Sequence, residues 1–110
     1  IFTLNGKESR QIKKLKTIAE KNDLPISFIG KISYESVQEY YSKSVLLFPS
    51  YIETVGLPLI EAKNHKTPII VSDCSFSKEF LNNYSLVNYF MPFDCEKLKK
   101  YMKNNILKSI

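Results

Sequence analysis

The chain has 110 residues, of which 44% are hydrophobic, a size and composition that suit one globular domain with a single core. No apolar run approaches the roughly 20 residues of a membrane span, and the net charge of +5 is spread without interleaved aromatics, which argues against a nucleic-acid surface. Cys74 and Cys95 lack metal-ligand spacing and are expected to be free thiols, and the single histidine excludes a multi-histidine metal site.

The first part of the chain predicts two strands, each followed by a helix. Residues 1–4 and 25–29 are short apolar runs of the kind that form strands. Between them, Ser9 is placed to cap a helix that the apolar spacing extends to about Lys21. After the second run, Ser33 can cap a shorter helix.

From residue 45 onwards, strands again alternate with helices. Residues 45–48 and 68–71 are apolar at every position, which is typical of parallel strands covered on both faces. The helix between them is predicted to begin near Leu57, with Pro58 in the first turn, where its missing N–H costs nothing. It is predicted to end near His65.

The last part predicts a helix over residues 78–82, a fifth strand over 86–90 and a final helix capped by Asp94. The inner face of the final helix is predicted to carry Leu98, Tyr101, Met102 and Ile106. The alternation indicates an α/β fold, a doubly wound, Rossmann-like parallel sheet of about five strands with right-handed crossovers. Such sheets bind ligands outside the carboxyl ends of their strands.

The segment after the third predicted strand holds the candidate ligand site. That strand delivers Glu53 to the carboxyl edge, and the helix from Leu57 points its amino end at the same edge. The first N–H groups of a helix lack internal partners, and the macrodipole adds about half a positive charge there, so a phosphate fits. Gly56 lacks a Cβ and would allow close approach to the backbone.

Glu53 and Glu61 flank this phosphate site, and each can accept hydrogen bonds from hydroxyl groups. The order of hydroxyl acceptor, phosphate site and hydroxyl acceptor matches a nucleoside diphosphate joined to a sugar. Taken singly, either glutamate is better explained as a solvated surface residue, and only the surrounding pattern favours a binding role.

Four short motifs occur in order through this region: F-P-S, E-T-V-G-L-P, L-I-E-A and T-P-I-I-V-S-D. Together they resemble the signature of the retaining glycosyltransferases of the GT-B fold, family 4, also called group 1. The mark of that family is two glutamates separated by seven residues, the spacing of Glu53 and Glu61. The resemblance covers nearly the whole chain, from the strand at 1–6 to the D-x-E-x-L helix opening at 94–98.

The resemblance implies a role for each candidate residue. Glu53, as the catalytic residue, would contact hydroxyls of the transferred sugar and stabilise charge near the anomeric centre, and Glu61 would hold the ribose hydroxyls. The nucleotide-sugar would otherwise be bound by backbone N–H groups and by residues bordering the base, which are Val55, Gly56, Leu57, Gly30, Lys31 and Ile32.

The resemblance also implies a UDP- or GDP-sugar donor, no cofactor and no metal. Residues 1–110 would be a donor-binding carboxyl-terminal domain that lacks its first strand–helix unit and the amino-terminal acceptor domain, and that is inactive alone. The acceptor would be a saccharide or a lipid-linked molecule. The protein would be cytoplasmic, with peripheral contact at the inner membrane face as an alternative to lysines that merely coat helices.

Two departures from the family pattern carry structural expectations. Lys66 stands where a glycine commonly precedes T-P, and a left-handed conformation there would cost about 1 kcal/mol. Ser75 and Phe76 replace a glycine pair expected ahead of Glu79, so close phosphate approach at that loop is not expected.

Two other functions fit the same elements. One is a nucleotide-sugar epimerase of similar fold, which would turn over its substrate without an acceptor. The other is a non-catalytic α/β binding or dimerisation module, in which both glutamates are surface residues.

Overall fold

The computed structural model describes residues 1–53 and 55–108, with side chains up to Asn105. Helices and strands alternate along most of this length, as the sequence predicts. The elements are α1 (Arg10–Lys21), α2 (Tyr34–Lys43), β1 (Leu46–Phe48), α3 (Leu57–Asn64), β2 (Ile69–Ser72), α4 (Ser75–Phe80), β3 (Val87–Phe90) and α5 (Cys95–Lys108). The chain divides into two compact units, residues 1–37 and 38–110.

The second unit is built on a parallel sheet with the order β1-β2-β3. Leu46 pairs with Ile69, and Ile69 pairs in turn with Val87. Every residue of the central strand β2 is buried, which requires cover on both faces of the sheet. α3 packs against α4, and α5 packs against β2 and β3. The α/β fold with parallel strands is therefore confirmed.

The prediction of about five strands is wrong for the described residues, whose sheet has three. The runs at 1–4 and 25–29 lie in the first unit and form a single parallel bridge between Phe2 and Phe28. The Phe2 N–H donates to Ser27 O at 2.8 Å, and the Ile29 N–H donates to Phe2 O at 2.9 Å. The pairing has the predicted direction, but it is too short for a regular strand.

The caps predicted from sequence form as expected. Ser9 Oγ accepts from the Ile12 N–H at 3.1 Å, and Asp94 Oδ1 accepts from the Lys97 N–H at 3.1 Å. Ser33 Oγ likewise accepts from the Ser36 N–H at 3.2 Å. Each oxygen satisfies a backbone donor that the first turn of a helix leaves without an internal partner.

The helix predicted over residues 78–82 is displaced, because α4 begins at Ser75 and ends at Phe80. Ser77 explains the earlier start: its Oγ accepts from the Cys74 N–H at 3.2 Å and donates to Ser72 O at 2.6 Å. This buried hydroxyl fixes the chain directly after β2.

Only part of the predicted inner face of α5 is observed. Leu98 and Tyr101 are half-buried, whereas Met102 is 42% exposed. Ile106 lies outside the described side chains. The inner face is therefore narrower than the apolar spacing indicated.

α3 ends in a Schellman motif centred on Lys66. The Thr67 N–H donates to Ala62 O at 2.9 Å, the Lys66 N–H donates to Lys63 O at 3.1 Å, and Lys66 has φ of 57°. Lys66 is left-handed, which is the condition under which the sequence predicts a strain cost at this position. Lysine there carries a steric cost between its Cβ and the backbone that glycine would not have.

We expect Lys66→Gly to raise the free energy of unfolding by about 1 kcal/mol, since glycine adopts positive φ without strain. The unfolding midpoint should rise by about 4 °C in a thermal melt followed by circular dichroism. Lys63→Gly, within helical α3, is the matched control and should destabilise by about 1 kcal/mol. A melt of Lys66→Gly at or below the parent midpoint would contradict the strain argument.

In the first unit, the Glu8 carboxylate accepts hydrogen bonds from three consecutive backbone N–H groups. It accepts from Asn5 at 2.7 Å and from Gly6 and Lys7 at 2.9 Å each. These bonds, that of Asn5 above all, lower the pKa of Glu8 from its ordinary value of 4.5. The ionised form of Glu8 therefore holds the turn that leads into α1.

The lowered pKa of Glu8 predicts an acid-dependent contribution to stability. The contribution is complete above pH 4.5, the ordinary value, and is lost as pH falls through the lower folded pKa. We expect Glu8→Gln to unfold more easily than the parent near neutral pH and to approach it under acidic conditions. Urea titrations across this range measure the difference, and a gap that widens on acidification would refute the assignment.

Candidate active site

The loop that follows β1 borders a cavity of about 480 Å³ at the carboxyl edge of the sheet. The loop is tied to β2, because the buried Ser72 Oγ donates to Pro49 O at 2.6 Å. Glu53 lies just beyond the loop, is exposed, and accepts from Ser50 Oγ at 3.0 Å. The cavity is lined by Phe48, Pro49, Ser50, Tyr51 and Ile52.

The start of α3 leaves its first amides without side-chain caps. Gly56 is the N-cap and makes no side-chain cap hydrogen bond, and Pro58 has no N–H to donate. The N–H groups of Leu59 and Ile60 both turn back to Gly56 O, at 3.0 and 3.2 Å. Within residues 1–53 and 55–108, nothing accepts from the N–H groups of Gly56 or Leu57.

The side chains beside this helix start are accessible to a ligand. Val55 is 61% exposed and Leu57 is 54% exposed, while Gly56 between them is buried. A Cβ built on Gly56 would lie 3.2 Å from a Phe80 ring carbon and 3.3 Å from Leu59 Cδ1. Packing against α4 therefore favours glycine here, a reason that the sequence alone did not reveal.

Glu61 lies one turn further along α3 and is half-buried beside α2. Gln38 Nε2 lies 3.5 Å from Glu61 Oε2. Burial raises the pKa of Tyr41 to about 12, with smaller contributions from the charge of Glu61 and a hydrogen bond to it. The phenol therefore stays protonated and able to donate to the carboxylate.

The structure brings some of the predicted site residues together and leaves others apart. Glu53 and the start of α3 are neighbours along one segment, but none of the described contacts joins Glu53 to Glu61. Gly30, Lys31 and Ile32 belong to the first unit, where the Gly30 N–H donates to Leu4 O at 3.0 Å and φ is 75°. Their contacts with a base stay a prediction.

Ser75 and Phe76, which stand where the family pattern has a glycine pair, take part in helix α4 and in an aromatic contact. Ser75 and Phe76 open α4, and the Phe76 ring meets Phe48 edge-on with centroids 6.3 Å apart. Next to them, Lys78 Nζ pairs with Asp73 Oδ1 at 3.0 Å, just beyond the end of β2. The residues at this loop thus pack against one another.

Neither a metal cluster nor a membrane span is found within the described ranges. No group of three His, Cys, Asp or Glu side chains there is arranged to hold a metal ion. No helix there is long and apolar enough to cross a bilayer. Cys74, half-buried, and Cys95, exposed, are free thiols, as predicted.

Comparison with known families decides the membership of the chain. The sequence model described as "Glycosyl transferases group 1" matches residues 2–108, nearly the full length. The chain belongs to the group 1 glycosyltransferases. The resemblance seen in the spaced glutamates and their flanking motifs is thereby confirmed.

Curated relatives of this group 1 glycosyltransferase chain come from two bacteria. The O-antigen chain mannosyltransferase RfbU of Salmonella typhimurium is 36% identical over 80 residues, which cover 72% of this chain and 22% of the relative. The serotype-specific mannosyltransferase WbdA of Escherichia coli is 39% identical over 59 residues, 53% of this chain and 7% of the relative. The chain thus spans about a fifth or less of these relatives, and no solved structure matches it.

Sequence reasoning missed the neighbours of Glu61 in this glycosyltransferase chain. Gln38 and Ser42 lie on α2, and His65, which had only a helix-terminal role from sequence, contacts both of them. Residues 38, 41 and 42 recur at helical spacing and so share one face of α2. That spacing was the available signal, but it does not say which helix the face meets.

Proposed function

We propose that this chain binds a nucleotide-diphosphate sugar as the donor domain of a retaining glycosyltransferase. The supporting observation is the start of α3, where backbone N–H groups without side-chain caps lie between Glu53 and Glu61 in the sequence. In the family to which the chain belongs, transfer of a glycosyl group is the shared reaction. The names of the relatives favour a mannosyl group as the hexosyl unit.

The diphosphate would lie against Val55, Gly56 and Leu57. Helix amides and the macrodipole favour an anion at this end, and they need no reorganisation when charge grows on the leaving diphosphate. Val55 and Leu57 are exposed on either side of the buried Gly56, so a diphosphate would reach the helix start beside these two residues. The proposal includes no metal, because the oriented amides and dipole at this helix start would meet the leaving-group charge.

The two carboxylates would bind the ends of the donor. Glu61 would accept from the ribose hydroxyls, and Glu53 would accept from the transferred sugar and stabilise positive charge near the anomeric carbon. The base would lie near Gly30, Lys31 and Ile32. The open depression lined by residues 48–52, next to Glu53 in the sequence, would receive part of the sugar.

The complete reaction would need more of the protein than these 110 residues. The acceptor, a saccharide or lipid-linked molecule, would bind to a separate domain, and the enzyme would work in the cytoplasm with peripheral contact at the membrane. The family match favours transfer over the epimerase hypothesis. Turnover of a nucleotide-sugar without any acceptor would reverse that preference.

The test is a calorimetric titration of the full-length protein that carries this chain with UDP and GDP. Uridine and guanosine, which lack the diphosphate, are the matched control ligands. We expect either UDP or GDP to bind, and the corresponding nucleoside to bind far more weakly. The reason is that contacts between the helix amides and the diphosphate would supply most of the affinity. A folded sample that binds neither diphosphate would support the non-catalytic module instead.

A further inference from the structure

A chain of polar side chains runs from the end of α2 to Glu61 on α3. Ser42 Oγ lies 3.4 Å from His65 Nδ1, His65 Nε2 is hydrogen-bonded to Gln38 Oε1, and Gln38 Nε2 lies 3.5 Å from Glu61 Oε2. All four residues belong to the second unit. These hydrogen bonds join residues that are 23 to 27 positions apart in the sequence.

The chemistry of each group fixes the direction of the hydrogen bonds. A carboxylate only accepts, so Gln38 must face Glu61 with its NH2 group. The amide oxygen of Gln38 then faces His65, so His65 Nε2 must carry a proton and donate. In the neutral ring, His65 Nδ1 is left as an acceptor beside Ser42 Oγ, whose single proton also faces Gln38 O at 3.3 Å.

Packing restrains part of this row of polar side chains, while Ser42 and His65 are exposed. Tyr41 is buried and stacks on the His65 ring with centroids 5.7 Å apart. The buried Thr67 hydroxyl donates to Tyr41 O, which links α2 to the segment that follows α3. His65 itself ends α3 as its C-cap.

The acceptor capacity of Glu61 matches what a ribose needs. A carboxylate has roughly four lone-pair sites. Gln38 Nε2 faces one of them. The sites that remain include enough acceptors for a pair of vicinal hydroxyls.

We propose that Gln38 is a positioning residue that orients the Glu61 carboxylate so that its free lone pairs receive the ribose hydroxyls of the donor. The proposal rests on the proposed function, because it assigns a ribose to Glu61. His65 acts behind Gln38 by fixing which end of the amide faces Glu61. Neither residue contacts the reacting atoms.

The test compares Gln38→Leu with the parent in the full-length protein. Leucine keeps most of the side-chain volume and removes both hydrogen bonds. We expect affinity for the nucleoside diphosphate to fall about fivefold and affinity for its 2′,3′-dideoxy analogue to stay unchanged. In steady-state kinetics, KM for the donor should rise while kcat holds, as for lost uniform binding.

Two further variants keep the result interpretable. Gln11→Leu makes the same chemical change on the exposed surface of α1 and should match the parent in every assay. His65→Phe keeps an aromatic ring against Tyr41 but removes the hydrogen bond to Gln38, so it should weaken ribonucleotide binding in the same direction. It serves as the test if Gln38→Leu fails to fold.

A nitrogen NMR spectrum of the His65 ring in alkaline buffer tests the polar chain without any nucleotide. We expect the Nε2–H tautomer in the parent and a tautomer mixture in Gln38→Leu. Equal affinity loss for ribo- and dideoxynucleotides, or no loss at all, would overturn the positioning role. If the parent binds no nucleotide, the proposed function fails, while the ring spectrum still decides whether Gln38 and His65 are joined.

Discussion

Replacing Glu53 with glutamine in the full-length enzyme is expected to lower the rate of sugar transfer about 100- to 1,000-fold. Glutamine keeps the shape of the side chain and its ability to accept from Ser50, but it loses the negative charge. That charge matters most when positive charge develops at the anomeric carbon, so kcat should fall. The measurement is initial-rate kinetics with a radiolabelled sugar donor.

The same Glu53→Gln variant should bind free nucleoside diphosphate as the parent does, because the proposed function assigns Glu53 to the sugar end of the donor. Glu39→Gln removes an exposed carboxylate of α2, paired with Lys43 at 3.2 Å, and is the matched control. It should leave both rate and affinity unchanged. A Glu53→Gln enzyme with near-normal kcat would remove Glu53 from the catalytic role.

Replacing Glu61 with glutamine is expected to weaken binding of the free nucleoside diphosphate about 10- to 100-fold. The loss corresponds to roughly 1.5–3 kcal/mol, the usual contribution of hydrogen bonds to a charged acceptor. The dideoxy analogue should bind the parent and the variant equally. Calorimetric titration of each nucleotide measures both constants.

The choice of substitution at Glu61 follows from its neighbours. Glu61→Ala would leave the half-buried Gln38 amide and the buried Tyr41 hydroxyl without the carboxylate beside them, at a cost in folding stability of about 1–3 kcal/mol. Glu61→Gln keeps a carbonyl oxygen for them and separates loss of binding from loss of structure. If Glu53→Gln and Glu61→Gln lose free diphosphate affinity equally, the two assignments are wrong.

Local signals in the sequence predicted much of this fold. The helix caps at Ser9, Ser33 and Asp94 need only a side chain and an amide three residues away, so they are readable from spacing. Lys66 was readable only conditionally, because a lysine at a helix end before T-P carries strain only if its backbone is left-handed. Apolar runs likewise indicated the three strands of the sheet.

Contacts between distant segments could not be read in this way. Whether 1–4 and 25–29 become strands depends on pairing length, and hydrophobic runs do not encode that. Phe80 restricts Gly56 from 24 positions away, and Gln38 reaches Glu61 across 23. Both follow from how α3 packs, which the amphipathic pattern of a single helix leaves undetermined.

The hydroxyl of Ser72 gives the two ends of β2 unequal freedom to vary. At the amino end, Ile69 and Ile70 contribute only volume, so another aliphatic side chain of similar size would serve. At the carboxyl end, the hydroxyl fastens the backbone ahead of Glu53, and no aliphatic replacement can do so. Related sequences should therefore keep the side-chain volume at positions 69 and 70. At position 72 they should keep a hydroxyl group.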